Sequence, residues 1–155
     1  MTVCPLDYII AKEFRVENVS KENYVRKFKD LDGFTYFKLK IADKDKNAEA
    51  ILHRASGEQE VKERLEYLSY GFEENIFIVR NNKKDTLPLS MYHFERTYGV
   101  APHLEFLFSF KSDSVAEKCD KKFEILINDV VFNNSVLTYE FDKQKYVDAP
   151  KLKLY

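Results

Sequence analysis

The chain is poor in the residues that make hinges, staples and spans. Four Gly and four Pro in 155 residues leave little room for a flexible linker, and no Pro/Gly/Ser-rich tract, repeat or low-complexity segment divides the sequence. Residues 1–155 are therefore expected to form one domain, a length within the usual range of about 100–200 residues. The two cysteines, Cys4 and Cys119, have no CxxC spacing, which argues against a disulfide scaffold and leaves a bridge between the two open. His53, His93 and His103 show neither i,i+4 nor HxH spacing, while zinc needs three or four converging ligands. No metal or other cofactor is expected. Charge of one sign is missing too. Lys and Arg number 25 against 26 Asp and Glu, a net -1, so a strong general field toward nucleic acid or anionic lipid is excluded. No run approaches the roughly 18 apolar residues of a membrane span. Phosphate loops, nucleophile elbows, HExxH and dinucleotide fingerprints are absent.

What is present is apolar payload, including 13 Phe and 10 Tyr, far more than a disordered chain carries. A chain of this length can bury about 70% of its unfolded surface without staples. Its hydrophobic period is mostly two. Phe37, Leu39 and Ile41 alternate with Lys38 and Lys40 after a turn at Asp32-Gly33, and Leu104, Phe106, Phe108 and Phe110 alternate with Glu105, Leu107 and Ser109. Ile76–Val79 and a returning strand over Leu87–Phe94 flank a hairpin loop at 81–85. In the returning strand, Leu87, Leu89, Met91 and His93 would share one face, with Pro88 marking an edge. Phe123–Ile127, then Val130–Phe132, a turn at Asn133-Asn134 and Val136–Phe141 follow, and Leu152–Leu154 would add an edge strand. The expected fold is mainly β, an antiparallel sandwich of seven or eight strands, immunoglobulin-like or jelly-roll-like, with one or two short helices. Its core would draw on Phe37, Leu39, Ile41, Ile76, Ile78, Leu104, Phe106, Phe108, Phe110, Ile125, Ile127, Leu137 and Tyr139.

Three segments depart from this pattern. Glu58–Tyr70 spaces Val61, Leu65 and Leu68 for a helix, yet 65–70 reads equally as a strand. Ser112–Lys118 reads as a short helix capped by Ser112 or Asp113. Tyr24, Phe28 and Leu31 suit an amphipathic turn packed on the core. The basic residues around that turn, Lys21, Arg26, Lys27 and Lys29, are diluted by Glu22 and Asp30, and no nucleic acid partner is expected. Asp43–Glu49 begins like a calcium loop but carries Ala48 and Arg54 where Gly and Glu belong, which leaves a solvated turn.

For function, Met91–Gly99 is the most distinctive stretch. Tyr92, His93, Glu95, Arg96 and Tyr98 bring aromatics, an imidazole, a carboxylate and a guanidinium together, a composition that favours a recognition surface. The leading expectation is a non-enzymatic binding or assembly module with a protein partner. Its setting would be an accessory subunit of a bacterial envelope or surface complex, with a lipid anchor at Cys4 if an export signal has been removed upstream. Without such a signal the chain would be cytoplasmic. Two alternatives stand beside it. A carbohydrate or small-ligand binder would line a groove with Tyr67, Tyr70, Tyr92 and Tyr98. A hydrolase would use His93 oriented by Glu95, with His103 nearby.

Overall fold

The computed structural model describes residues 1–14, 20–43, 49–80, 85–96, 102–112, 122–132 and 135–142. Among the described residues, eight strands form two four-stranded antiparallel sheets. The first has the order β1-β2-β6-β5, from Thr2–Cys4, Phe34–Ala42, His103–Lys111 and Met91–Glu95. The second has the order β4-β3-β7-β8, from Asp85–Pro88, Ile76–Arg80, Lys122–Asp129 and Ser135–Asp142. Three α-helices accompany them in the described residues: α1 over Leu6–Phe14, α2 over Lys21–Leu31 and α3 over Glu58–Tyr70. Among the described residues neither sheet closes into a barrel, and no helix is long and apolar enough to cross a membrane.

Alternation along the strands gives both sheets one shared interior. Phe37 and Leu39 of β2 and Leu104, Phe106, Phe108 and Phe110 of β6 join Ile76, Ile78, Phe123, Ile125 and Ile127 of the second sheet in one buried cluster. Phe37 stacks on Phe108 at 5.8 Å and meets Phe141, from the opposite sheet, edge-on at 5.2 Å. Leu68 of α3 and Phe72 just after it enter the same cluster. Ile41, Leu137 and Tyr139, expected as core, are only partly buried against it.

The first sheet is covered on its other face as well. Cys4, Ile10 and Tyr36 are buried outside the main cluster, with Cys4 opposite Tyr36 in the β1–β2 register. This is the seat of α1, and Tyr24 of α2 donates a hydrogen bond to Asp7 of α1. Ser20 caps α2 by accepting from the Asn23 amide. The helix ends before Gly33, whose φ of 87° lies in the left-handed region that side chains disfavour. A Cβ there would meet nothing within 4 Å, so the cost of adding one is torsional. Gly33→Ala is expected to lower stability by about 1 kcal/mol, read as a shifted urea midpoint at unchanged slope.

The sequence pattern misleads in three places and leaves a fourth open, which the structure settles. Leu87–Phe94 is two strands in different sheets: β4 pairs with β3, and β5 pairs with β6. The phase flips at the crossing, so Leu87 and Leu89 pack inward, then Tyr92 and Phe94, while His93 is exposed. Helices of 9, 11 and 13 residues replace the one or two short ones expected. Glu58–Tyr70 is helical, because Val61, Leu65 and Leu68 reach the interior only at helical spacing. The strand β1 and helix α1 had no counterpart in the pattern. Most of the expected helix at 112–118, the tail strand at 152–154, residues 44–48 of the calcium-like segment and loop residues 81–84 lie outside the described residues.

Candidate functional site

β5 is an edge strand of its sheet, and its pleat splits the predicted recognition residues. Tyr92 and Phe94 turn inward. Tyr92 packs against Phe72 and Phe106 and donates its hydroxyl proton to the Leu68 carbonyl of α3. Burial pushes the Tyr92 hydroxyl pKa up. His93 and Glu95 share the outward face, as the spacing predicted. Two hollows flank the strand there.

The first is a groove of about 480 Å³ between β5 and the last turn of α3, lined by Ser69, Tyr70, Tyr92, His93, Glu95 and Arg96 among others. Tyr70 is 77% exposed. Arg96 donates to the Ser69 hydroxyl at 2.8 Å, and Ser69 in turn donates to the Leu65 carbonyl at 2.6 Å. Among the described residues, then, the guanidinium meets a hydroxyl and no carboxylate. Tyr98 lies outside the described residues. Ser69 was not singled out in the sequence, and Tyr70 only as part of the alternative sugar groove, because their place beside β5 is created by the docking of α3.

The second is a cleft of about 420 Å³ beneath α1, lined by Tyr8, Ile9, Lys12, Lys38, His93, Glu95, Glu105 and Leu107 among others. Lys12 bridges its mouth to Glu95 at 2.7 Å. Deeper in, Lys38 donates to the Tyr8 hydroxyl at 3.0 Å and pairs with Glu105 at 3.1 Å. Glu105 also takes Lys40 at 2.7 Å and His103 at 2.9 Å. Burial disfavours both charges, but these bonds outweigh it: the Glu105 carboxyl is pulled down to about 2 and the Lys38 ammonium pushed up to about 12. A carboxylate and an ammonium fixed this firmly in their charged forms neither take nor give a proton near neutrality. The cleft can bind and orient, and its part-buried pair is no acid–base couple.

The hydrolase constellation is not assembled. Glu95 is engaged by Lys12, and among the described residues no hydrogen bond joins it to His93. His93 stands opposite Leu107, four residues from His103 along β6, or about 13 Å of strand. The tyrosine platform for a sugar is also reduced. Tyr67 packs on Phe72 and accepts from Asn75 at 2.6 Å, Tyr92 faces inward, and Tyr70 alone of the described three is exposed.

Cys4 is 5% exposed within β1, a free thiol among the described residues. Burial raises its pKa, partly countered by Lys38 and Lys12. A thiol enclosed beneath α1 gives no support to a lipid anchor on the docked strand. Cys119 lies outside the described residues. Compared with protein-family models, curated proteins and solved structures, the chain matches none, and the site is read from its own geometry.

Proposed function

We propose that the protein is a non-enzymatic binding and assembly module, its two sheets packed as a sandwich, with the groove between β5 and α3 as its recognition surface. The observation that carries this reading is the juxtaposition of exposed Tyr70 with Arg96. Tyrosine and arginine dominate interface hot spots. An exposed ring beside a guanidinium bound, among the described residues, only to a hydroxyl suits a protein partner that inserts an acidic side chain and covers the ring. A lipid anchor at Cys4 does not enter this reading, since a buried thiol in a paired strand offers no attachment point.

Panning a phage-displayed peptide library on the immobilised chain tests the proposal. Enriched peptides are expected to be acidic and, in amide chemical-shift maps, to perturb residues 69–70 and 92–96. Arg96→Glu is expected to weaken them about thirtyfold or more, the scale of a hot-spot loss. No enrichment, or shifts lying elsewhere, would end the proposal. Shifts at Tyr8, Ile9 and Leu107 would favour a second reading, a small-ligand binder. The α1 cleft supports it by its size, within the usual range of ligand pockets, and by its mixed apolar and charged lining.

A further inference from the structure

Open sheet edges are where one chain pairs with another, and proteins blunt them by shortness, proline, bulges, lysine or a covering element. The described residues present four edges. β1 has three residues. β4 has four and ends on Pro88. β5 has five and is buttressed on both sides, by Lys12 of α1 at Glu95 and by the Tyr92 and Arg96 bonds to α3. Among the described residues β8 carries none of these devices. It runs eight residues, Ser-Val-Leu-Thr-Tyr-Glu-Phe-Asp, with no Pro or Lys. Its register against β7 is unbroken from Ser135 to Asp142, without a bulge. Val136, near its start, is 60% exposed. From this contrast we infer that β8 pairs antiparallel with β8 of a second copy of the chain, joining two β4-β3-β7-β8 sheets across a twofold axis.

The side chains of β8 choose the direction. Its outward row reads Val136, Thr138, Glu140, Asp142, uncharged at one end and acidic at the other. Antiparallel self-pairing sets the uncharged end of each strand against the carboxylates of its mate. Parallel pairing would stack carboxylate on carboxylate, which is destabilising. The inward row, Leu137, Tyr139 and Phe141, packs against the core and would meet its own kind across the seam, aliphatic and aromatic side by side. Of the registers that keep inward side chains inward, two overlap the strands most fully. In one, Val136 faces Glu140; in the other, it faces Asp142. The groove at β5 belongs to the other sheet, so the dimer and the recognition surface stand or fall separately.

Sedimentation velocity on the full chain, from roughly 1 µM to 1 mM, is expected to show a monomer–dimer equilibrium. Hydrogen exchange over residues 136–141 should slow as concentration rises. Val136→Glu sets two carboxylates against carboxylates in either register, and it is expected to raise the dimer Kd about tenfold. Val136→Lys meets the same carboxylates as a cation and should leave the dimer as tight or tighter. Both changes lie on an exposed side chain and should leave Tm unmoved at concentrations where the chain is monomeric. A chain monomeric at every concentration overturns the inference, as does a dimer that responds alike to both substitutions.

Discussion

Phe37→Ala is expected to remove about 3–5 kcal/mol of folding stability, most or all of what a typical domain has. Phe37 is fully buried and touches four rings drawn from both sheets. Phe108 and Phe110 lie at 5.8 and 6.0 Å on its own sheet, and Phe123 and Phe141 at 6.1 and 5.2 Å on the other. Cutting it to a methyl group loses the transfer free energy of a benzyl group and opens a cavity between two hydrogen-bonded sheets. Neither backbone can sag into that space without breaking ladder bonds, so little of the cavity collapses. Phe37→Leu keeps most of the volume and is expected to cost only about 1–2 kcal/mol, which keeps the series measurable if the alanine variant does not fold. Urea unfolding followed by far-ultraviolet circular dichroism reads both. A cost under about 1.5 kcal/mol for the alanine variant would mean that the sheets do not share the interior described for them.

The same aromatic alternation explains why so much of the fold was legible. In β2 and β6, one face is rich in Phe and Leu while the other mixes Lys, Glu and Ser with Tyr36 and Leu107, so the period can be read directly from the residues. What was hidden depended on contacts outside the strand being read. Leu87, Leu89 and Met91 keep one parity through Pro88 and Ser90, and nothing in that spelling marks the passage to the other sheet. The passage shows only in pairing, where Ser90 donates its amide to the Ser109 carbonyl and joins the first sheet. Leu65-Glu66-Tyr67-Leu68-Ser69-Tyr70 is a short run compatible with either period. The interior decides, because Val61, Leu65, Leu68 and Phe72 line up on a helix and would diverge on a strand. The three residues of β1 are too few to show any period.

The candidate site divides the same way. Tyr92, His93, Glu95 and Arg96 stood out by composition within one segment, and four of the five predicted positions fall in or beside the groove. The α1 cleft was invisible, since Tyr8, Lys12, Lys38 and Glu105 come from three elements with no spacing to link them. One signal was available. Lys38 and Lys40 alternate on the polar face of β2, and Glu105 is the carboxylate on the polar face of β6. If those strands were assumed to pair, the charges would have to meet. In the structure Lys40 stands opposite Glu105.

That meeting makes the acid dependence of stability predictable. The Glu105 carboxyl, pulled down to about 2 in the folded protein, would titrate near 4.3 in the unfolded chain. A carboxyl depressed in this way stabilises the fold fully above its unfolded pKa and progressively less as pH falls from about 5 toward 2. The term is worth at most about 3 kcal/mol. Its side chain is only 14% exposed, so solvent screens it less than a surface pair. Glu105→Gln keeps the shape and deletes the charge, leaving the part-buried Lys38 ammonium with the Tyr8 hydroxyl and a neutral amide. The variant is expected to be less stable than the natural chain by about 2–3 kcal/mol at pH 7. The gap should close steadily below pH 5 and nearly vanish by about pH 2, because protonation then does to the natural chain what the substitution did. Glu60→Gln separates this from acid effects in general. The Glu60 carboxyl is also drawn down to about 2, by Ser56 and Arg64, but it sits at the solvent-facing start of α3, and its removal should leave a far smaller gap. Urea midpoints at half-unit pH steps decide the matter. If the Glu105→Gln gap were as wide at pH 2.5 as at pH 7, the negative charge of Glu105 would contribute nothing, and the ion cluster under α1 would be held by packing alone.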